Sequence, residues 1–223
     1  MPQSAFGREQ REWRGSGYFW VVIGEAYVSG IPVNSNGDSA NCTMSHYNSF
    51  VRIPALAIRQ RIRPLPRIGV FDEDVLRLRV WPQDIDFNLH LNNARYLSFM
   101  DYGRIHLSAA TGILTPVLKE RWIPLVGSLS ITYRRSLALF APFTLTTRTL
   151  CWDEKWVYME QVFRGSEGLA AIAWVKGLFR AKDGNVPPQR LVDMIAPGTF
   201  SPPVPEELEQ WNGLTKGKLQ SGE

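Results

Sequence analysis

The sequence contains little of the chemistry that many enzymes and metal proteins use. Two cysteines, Cys42 and Cys151, form no C-x-x-C pair and are too few for a disulfide framework. Three scattered histidines give no zinc signature, so we expect neither a metal site nor another cofactor. The G-x-S-x-G, P-loop and G-x-G-x-x-G motifs are also missing, which argues against the serine hydrolase, nucleotide hydrolase and dinucleotide-binding arrangements that they mark.

Long apolar runs are missing too. No stretch reaches the roughly 18 apolar residues that a spanning helix needs, and YFWVVIG at residues 18–24 is too short for one. That stretch is followed at once by Glu25 and has no clean small-residue cleavage site, so a secretory signal is not indicated. The low cysteine content suits a reducing compartment, and we expect a cytoplasmic location. The composition, 44% hydrophobic and 21% charged, is that of an ordinary globular protein.

Positive charge is concentrated near the start of the chain. Residues 1–70 hold eight arginines against four acidic residues, which accounts for the whole net charge of +4. The stretch RIPALAIRQRIRPLPR, residues 52–67, has five arginines and no acid. It could contact an anionic membrane surface or phosphates, or it could be an irregular arm whose apolar residues dock on the domain. No basic motif with interleaved aromatics follows, so nucleic acid is not an expected partner.

Composition divides the chain into four parts. Residues 1–43 are rich in Gly, Ser and Asn and poorly periodic, which predicts a flexible leader or an over-long gene start. Residues 44–70 form the basic arm. Residues 71–185 read as one domain, and residues 186–223 as a C-terminal extension.

The periodicity of the domain predicts an α+β architecture. Residues 75–81 alternate as in a strand, residues 93–110 have helical spacing with Gly112 as the stop, and the period then returns to two. Strands are predicted at residues 122–134, 143–152, 155–164 and 169–181, with short breaks that indicate antiparallel hairpins. We therefore expect one central helix wrapped by a curved antiparallel sheet. A short helix at 190–195 and one or two turns near PEELEQW complete the prediction.

The central helix is expected to be largely enclosed. Two apolar rows run along it, one through Ala94, Leu97 and Met100, the other through Tyr96 and Phe99. Together they occupy a wide face. Three further polar residues have ordinary roles: Asp101 and Arg104 form an i, i+3 pair, and His106 packs or caps.

The stretch DIDFNLHLNNARYL, residues 84–97, places ordered polar residues just before this helix. Asn92 or Asn93 is a good N-cap, and Asp84 is typical of a turn or strand end. The free N–H groups and partial positive charge of the first helical turn suit an oxyanion. A nearby carboxylate, Asp86, could orient a water molecule or attack a carbonyl carbon.

This stretch resembles the active-site segment of hot-dog-fold thioesterases, whose plant acyl-ACP members carry D-x-D-x-N-x-H-x-N-N-x-x-Y. The matching residues are Asp84, Asp86, Asn88, His90, Asn92, Asn93 and Tyr96. The wider stretch RVWPQDIDFNLHLNNARYLSFMDYGR is similar to single-domain thioesterase-like proteins. The resemblance implies a single hot-dog domain that hydrolyses acyl-CoA, or less typically acyl-ACP, as a homodimer or a dimer of dimers.

The resemblance also implies roles for individual residues. Asp86 would act as general base or nucleophile, a choice that the sequence leaves open. Asn88 would position the carbonyl group or the water, and His90 would polarise or hydrogen-bond. A substrate-binding role falls to Asn92, Asn93 and Tyr96.

Two alternative functions and one alternative role for a group of residues remain open. An enoyl-CoA hydratase of the same fold uses D-x-N-P-x-H, but here the proline is missing and His90 comes one residue early. A non-catalytic acyl-binding protein could lie at a membrane surface through the basic arm, which would make the location peripheral to that membrane. Tyr133, Arg134 and Arg135 could contact CoA phosphates or could form a solvated strand end.

Overall fold

A computed structural model describes residues 65–220, with side chains to residue 214. The predicted leader at 1–43 and most of the basic arm at 44–70 lie outside the described residues. In chain order the helices and strands are β1 (Asp74–Arg79), α1 (Asn93–Thr111), α2 (Leu114–Lys119), β2 (Ile123–Tyr133), β3 (Pro142–Trp152), β4 (Val157–Gly165), β5 (Gly168–Ala181), β6 (Gly184–Val186), α3 (Pro188–Ile195) and α4 (Glu206–Gln220).

The described strands form one curled antiparallel sheet around α1, which confirms the predicted α+β architecture. Their order is β1-β3-β4-β5-β2, and β6 pairs with the end of β5. Strands β4 and β5 are joined by a tight turn in which Gly165 pairs with Gly168, and Gly168 takes a positive φ of 97°. A residue with a Cβ rarely adopts that conformation, so glycine permits the turn. Strands β1 and β2 are the two edges of this sheet.

Helix α1 begins and ends at capping residues. Asn92 lies just before it and accepts a hydrogen bond from the N–H of Ala94 at 2.9 Å. Gly112 ends it in the left-handed conformation, at a φ of 91°. The Arg67 guanidinium lies so close to Gly112 that a Cβ there would collide with it. A cation at this end interacts favourably with the helix dipole.

One face of α1 packs into the sheet. Tyr96, Phe99 and Met100 are buried there, and the Phe99 ring meets Phe143 edge-on at 5.2 Å between centroids. The predicted enclosure is incomplete, however, because the other apolar row is partly open: Ala94 is exposed and Leu97 is 37% exposed. In this single chain no described element covers the full width of the apolar face.

The C-terminal helices also pack against the sheet. Leu208 of α4 is buried beside Cys151 and Tyr158. Asn212 accepts from Lys176 Nζ at 2.7 Å and donates to the Tyr158 hydroxyl at 2.8 Å. Helix α4 has 15 residues, which makes it longer than the one or two turns that were expected. The boundaries placed at residues 71–185 and 186–223 stay predictions.

Short elements account for the other differences from the sequence-based expectation. Strand β6, helix α2 and a 3-10 turn at Pro82–Asp84 were not predicted. None of the described helices is both long and apolar enough to cross a bilayer.

Replacing Gly103 with valine should destabilise the protein by about 1–3 kcal/mol, because inserting atoms into a packed core forces displacements. A Cβ at Gly103 would lie 2.7 Å from Thr147 Oγ1 and 2.9 Å from Gln161 Nε2. Urea unfolding measures the change. Gly213→Val is the matched control, since a Cβ on this exposed α4 residue meets nothing within 4 Å. Equal stability of the two variants would contradict the close approach of α1 to the sheet.

Candidate active site

The segment that precedes α1 forms a tight hairpin-like loop. Ile85 and Leu91 form an antiparallel bridge, and Asp86 N–H donates to the His90 carbonyl at 2.9 Å. Leu89, at the tip, has a φ of 59°. Its side chain is 59% exposed and that of Phe87 is 92% exposed. Neither of these apolar side chains, which alternate with Asp86, Asn88 and His90 in the sequence, is therefore anchored in the core.

The Asp86 carboxylate serves this loop. Its Oδ1 accepts from Asn88 N–H at 2.9 Å and, at a longer 3.5 Å, from His90 N–H. No hydrogen bond to Oδ2 is recorded from any residue that the structure describes. One oxygen thus stabilises the turn, while the other is available to a water molecule or a substrate.

A second loop, residues 134–141 between β2 and β3, is hydrogen-bonded to the first loop. Leu91 N–H donates to the Leu137 carbonyl at 2.7 Å, and Leu139 N–H donates to the Leu89 carbonyl at 3.1 Å. Phe140, in this second loop, also has a positive φ, 62°. Conformations of this kind are costly for non-glycine residues, and surrounding contacts must hold them.

Asn92 links the loop to the helix. Its N–H donates to the Asp84 carbonyl at 2.9 Å, its side chain caps Ala94, and its carbonyl accepts from Arg95 N–H at 2.8 Å. This confirms that one of the two asparagines is the N-cap. The N–H of Asn93, the first helical residue, has no acceptor among the described residues. It remains available to an external oxygen.

The other predicted site residues lie at different depths. Asn88 and Asn93 are exposed, and His90 is partly buried. Tyr96 is only 2% exposed, and its ring meets Tyr133 and Phe163 edge-on. Burial, reinforced by Tyr133, raises the pKa of Tyr96 to about 12, so its hydroxyl stays protonated at neutral pH. These surroundings give Tyr96 a packing role beneath the first turn of α1.

Other polar residues have structural roles. Asp84 is buried, and its carboxylate accepts from Trp81 N–H at 3.1 Å, as expected of a turn residue. His106 is buried with its Nδ1 2.7 Å from Asp74 Oδ2. Arg135 donates to the Glu167 carbonyl at 2.6 Å, which uses part of its hydrogen-bonding capacity at the strand end. Within residues 65–214, no group of side chains has the composition of a metal site.

A cavity of about 150 Å³ lies between the C-terminal half of α1, the sheet, α2 and α3. Its walls are mostly apolar and include Leu107, Leu125, Met159, Leu178 and Leu191. Asp86, Asn88 and His90 do not line it. Two charged residues do, Asp101 and Arg104, which form the predicted i, i+3 ion pair. Their spacing signalled the pair, but nothing in the sequence signalled a cavity beside it.

The thioesterase-like superfamily is the family whose model matches this chain, over residues 80–211. The chain belongs to the thioesterase-like superfamily. It is 30% identical over 165 residues to Protein THEM6 from Xenopus laevis, covering 73% of this chain and 77% of that protein.

Solved structures agree on the fold. The probable thioesterase YbaW from Escherichia coli superposes with a TM-score of 0.51 at 21% identity, over 55% of this chain and 96% of that one. SAV2348 from Staphylococcus aureus, described in complex with CoA, gives 0.51 at 17% identity, over 64% of this chain and 95% of that one. The hot-dog fold expected from the resemblance is confirmed.

Replacing Asn92 with alanine should lower the free energy of unfolding by about 1 kcal/mol, because the N–H of Ala94 loses its capping oxygen. Asn93→Ala is the matched control: the residue is adjacent, of the same type and exposed, and no side-chain hydrogen bond of it is recorded. Chemical denaturation of the two variants compares them. A larger loss of unfolding free energy in Asn93→Ala than in Asn92→Ala would contradict the assignment of Asn92 as the N-cap.

Tyr96→Phe should reduce the sensitivity of the fold to alkaline pH. The folded pKa of about 12 exceeds the ordinary value of 10.0, so unfolding favours ionisation of this hydroxyl. The stability that this difference provides is fully present below about pH 10 and is lost as the pH rises toward 12. Unfolding free energies across that interval should fall less for Tyr96→Phe than for the parent protein. Parallel pH profiles would show that Tyr96 ionises equally in both states.

Proposed function

We propose that this protein is a thioesterase that hydrolyses acyl-CoA to the free acid and CoA. The main support is the position of Asp86. Its loop is hydrogen-bonded to the start of α1, and no hydrogen bond to its Oδ2 is recorded from the described residues. Membership of the thioesterase-like superfamily supports hydrolysis of a thioester as the class of reaction. Asp86 acts as general base on a water molecule or as the nucleophile itself.

The start of α1 supplies the other half of the chemistry. Negative charge develops on the carbonyl oxygen during attack, and hydrogen-bond donors aimed at it lower the barrier. The N–H of Asn93 is available for this role, and the helix dipole adds partial positive charge. Asn88 and His90, on the same loop, would position the carbonyl group or the water and polarise the thioester. Tyr96 would keep this end of the helix in place by packing.

Two observations favour CoA and an apolar acyl group. SAV2348, which shares the fold, is described in complex with CoA. The cavity along α1 has an apolar wall suited to an acyl chain. The substrate would place its thioester at the helix start and its chain along the helix.

A homodimer would complete the site. Among the described strands β2 is an 11-residue edge of the sheet, and such edges readily pair with another chain. Within the described residues, the apolar side chains of Phe87, Leu89 and Leu97 are also exposed. Predicted membrane contact through the basic arm and the cytoplasmic location remain separate proposals.

One observation favours a second candidate, an acyl-binding protein without catalysis. Asp86 Oδ1 is bonded to its own loop, and Asp86 does not line the cavity. A chain of this kind could hold an acyl group in the cavity while Asp86 only shapes the turn. The two candidates differ in what the negative charge of Asp86 contributes.

Asp86→Asn should lower kcat/KM for acyl-CoA by at least about 100-fold, the usual contribution of a positioned acid or base. Asparagine keeps an Oδ1 that accepts from Asn88 N–H, so the loop should keep its shape while the charge is lost. Release of free CoA measures turnover across a panel of acyl-CoAs, and circular dichroism checks the fold.

Asp72→Asn is the matched control, because Asp72 also accepts from a nearby backbone N–H, that of Gly69 at 2.7 Å, in an exposed turn. It should keep parental turnover. His90→Ala should lower kcat/KM less than Asp86→Asn does. Undiminished turnover by Asp86→Asn would remove Asp86 from the mechanism, and acyl-CoA binding without CoA release by the parent protein would select the non-catalytic candidate.

A further inference from the structure

The cavity beside α1 is apolar except where one ion pair forms its wall. Asp101 and Arg104 are the only charged residues among those described as lining it. The hydroxyls of Ser108 and Thr111, which also line it, donate to helix carbonyls. The polar chemistry that the cavity offers to a ligand therefore comes mainly from the Asp101–Arg104 pair.

This pair keeps unused hydrogen-bonding capacity. Arg104 Nη1 donates to Gln161 Oε1 at 2.8 Å, and Nη2 donates to Asp101 Oδ1. A guanidinium has five N–H donors, and no further acceptor is recorded for Arg104 within residues 65–214. Its side chain is only 14% exposed, and that of Asp101 is 20% exposed. Buried donors are almost always paired, so the oxygen of a ligand or of a water molecule in the cavity would complete the pairing of the remaining ones.

The opposite charges of Asp101 and Arg104 restrict which chemical group of a ligand can bind beside them. A carboxylate would be repelled by Asp101, and an ammonium group by Arg104. A plain hydrocarbon would leave the remaining donors unpaired, which is unfavourable. A hydroxyl group both donates and accepts, so it can give its proton to Asp101 while it accepts from Arg104. An alcohol is the group that satisfies both partners.

The pair also lies on a path from the proposed reaction site. Asn93, Leu97, Asp101 and Ser108 share one stripe of α1 at spacings of four and seven, with Arg104 between the last two. The stripe goes from exposed at Asn93 to mostly buried at Arg104. At about 1.5 Å per residue, the pair lies roughly 12–16 Å along the axis from Asn93.

That distance sets the length of the chain. An extended alkyl chain advances only about 1.3 Å per carbon–carbon bond, because bonds about 1.5 Å long zigzag at tetrahedral angles, so about nine to thirteen of them are needed to reach the pair. A cavity near 150 Å³ holds a group about the size of benzene, so it would accommodate the distal part of the chain.

We propose that the preferred substrate is a medium-chain acyl thioester that carries a hydroxyl group near its distal end, recognised by Asp101 and Arg104. This inference rests on the proposed thioesterase function and adds the substrate class. The pair is a specificity determinant, not a catalytic group, since it lies far along the helix from the start of α1.

The competing explanation is purely structural. Through Gln161 the pair ties α1 to β4, and it would do so without any ligand. A structural role changes stability or overall turnover. It leaves unchanged the ratio of kcat/KM between two substrates that differ only in one hydroxyl, and this ratio is the decisive readout.

The experiment compares decanoyl- and dodecanoyl-CoA with their terminally hydroxylated counterparts by CoA release. The parent protein should prefer the hydroxylated thioesters by about 10- to 100-fold in kcat/KM, the range for hydrogen bonds to charged groups. The double variant Asp101→Leu/Arg104→Met removes both charges together, which avoids a lone buried charge. It should abolish the preference. If it fails to fold, Arg104→Lys, which keeps both charges of the pair but loses the planar guanidinium fork, should reduce the preference.

The matched control removes another ion pair. Arg148 and Glu160, 2.8 Å apart on β3 and β4, do not line the cavity, so Arg148→Gln/Glu160→Gln should keep the hydroxyl preference. Equal kcat/KM for plain and hydroxylated thioesters in the parent protein would overturn the inference and leave the thioesterase function standing. A preference that survives removal of the pair would overturn it as well. No CoA release from either substrate would overturn the proposed function itself.

Discussion

The buried side-chain amide of Gln161 determines how α1 lies against the sheet. It has no exposed surface, and its Nε2 donates to the Met100 carbonyl and to Thr147 Oγ1, each at 3.0 Å. Its Oε1 accepts from Arg104. A buried amide that loses a partner is costly, so the helix must keep one position relative to β3 and β4. In that position Gly103 touches the sheet and Arg104 reaches the cavity wall.

The loop before α1 depends on that placement in turn. Leu89 and Phe140, with φ values of 59° and 62°, each hold a conformation that costs roughly 1 kcal/mol or more. They persist because backbone hydrogen bonds join the two loops and because Asn92 ties the first loop to the helix. Strain of this kind often accompanies functional sites, where the surroundings hold a geometry that the chain alone would not choose. It supports a preorganised position for Asp86.

The sequence predicted the elements whose signals are local. Asn92 and Gly112 bounded α1 because caps act within a few residues, and the period of two revealed the four long strands. Helix α2 was missed because it has six residues and contains Pro116. Strand β6 has only three residues. Helix α4 contains Gly213, which disfavours helix, and its contacts through Leu208 and Asn212 come from β3, β4 and β5, far away in the chain.

In the candidate site, too, the local features could be predicted from the sequence and the features that depend on tertiary packing could not. The order of polar residues at 84–93 was legible because the loop and the helix start are contiguous. The exposure of Leu97 was not, since it depends on which part of α1 the sheet covers, whereas the burial of Tyr96 agrees with the enclosed helix that was expected. The cavity was beyond prediction because its wall combines residues from α1, α2, α3 and four strands. Periodicity indicates which face of an element is apolar, but not how much space remains between two such faces.

For Asp86, a structural role in the loop and a role in catalysis are compatible. A carboxylate has two oxygens and about four lone-pair sites, and the loop uses one oxygen for its two backbone contacts. Fixing Oδ1 also fixes the direction of Oδ2, so the free oxygen needs little reorganisation when a substrate arrives. Preorganisation of this kind is a main source of catalytic rate. The hydrogen bonds that give Asp86 a structural role are therefore the same ones that would aim it at a thioester near Asn93.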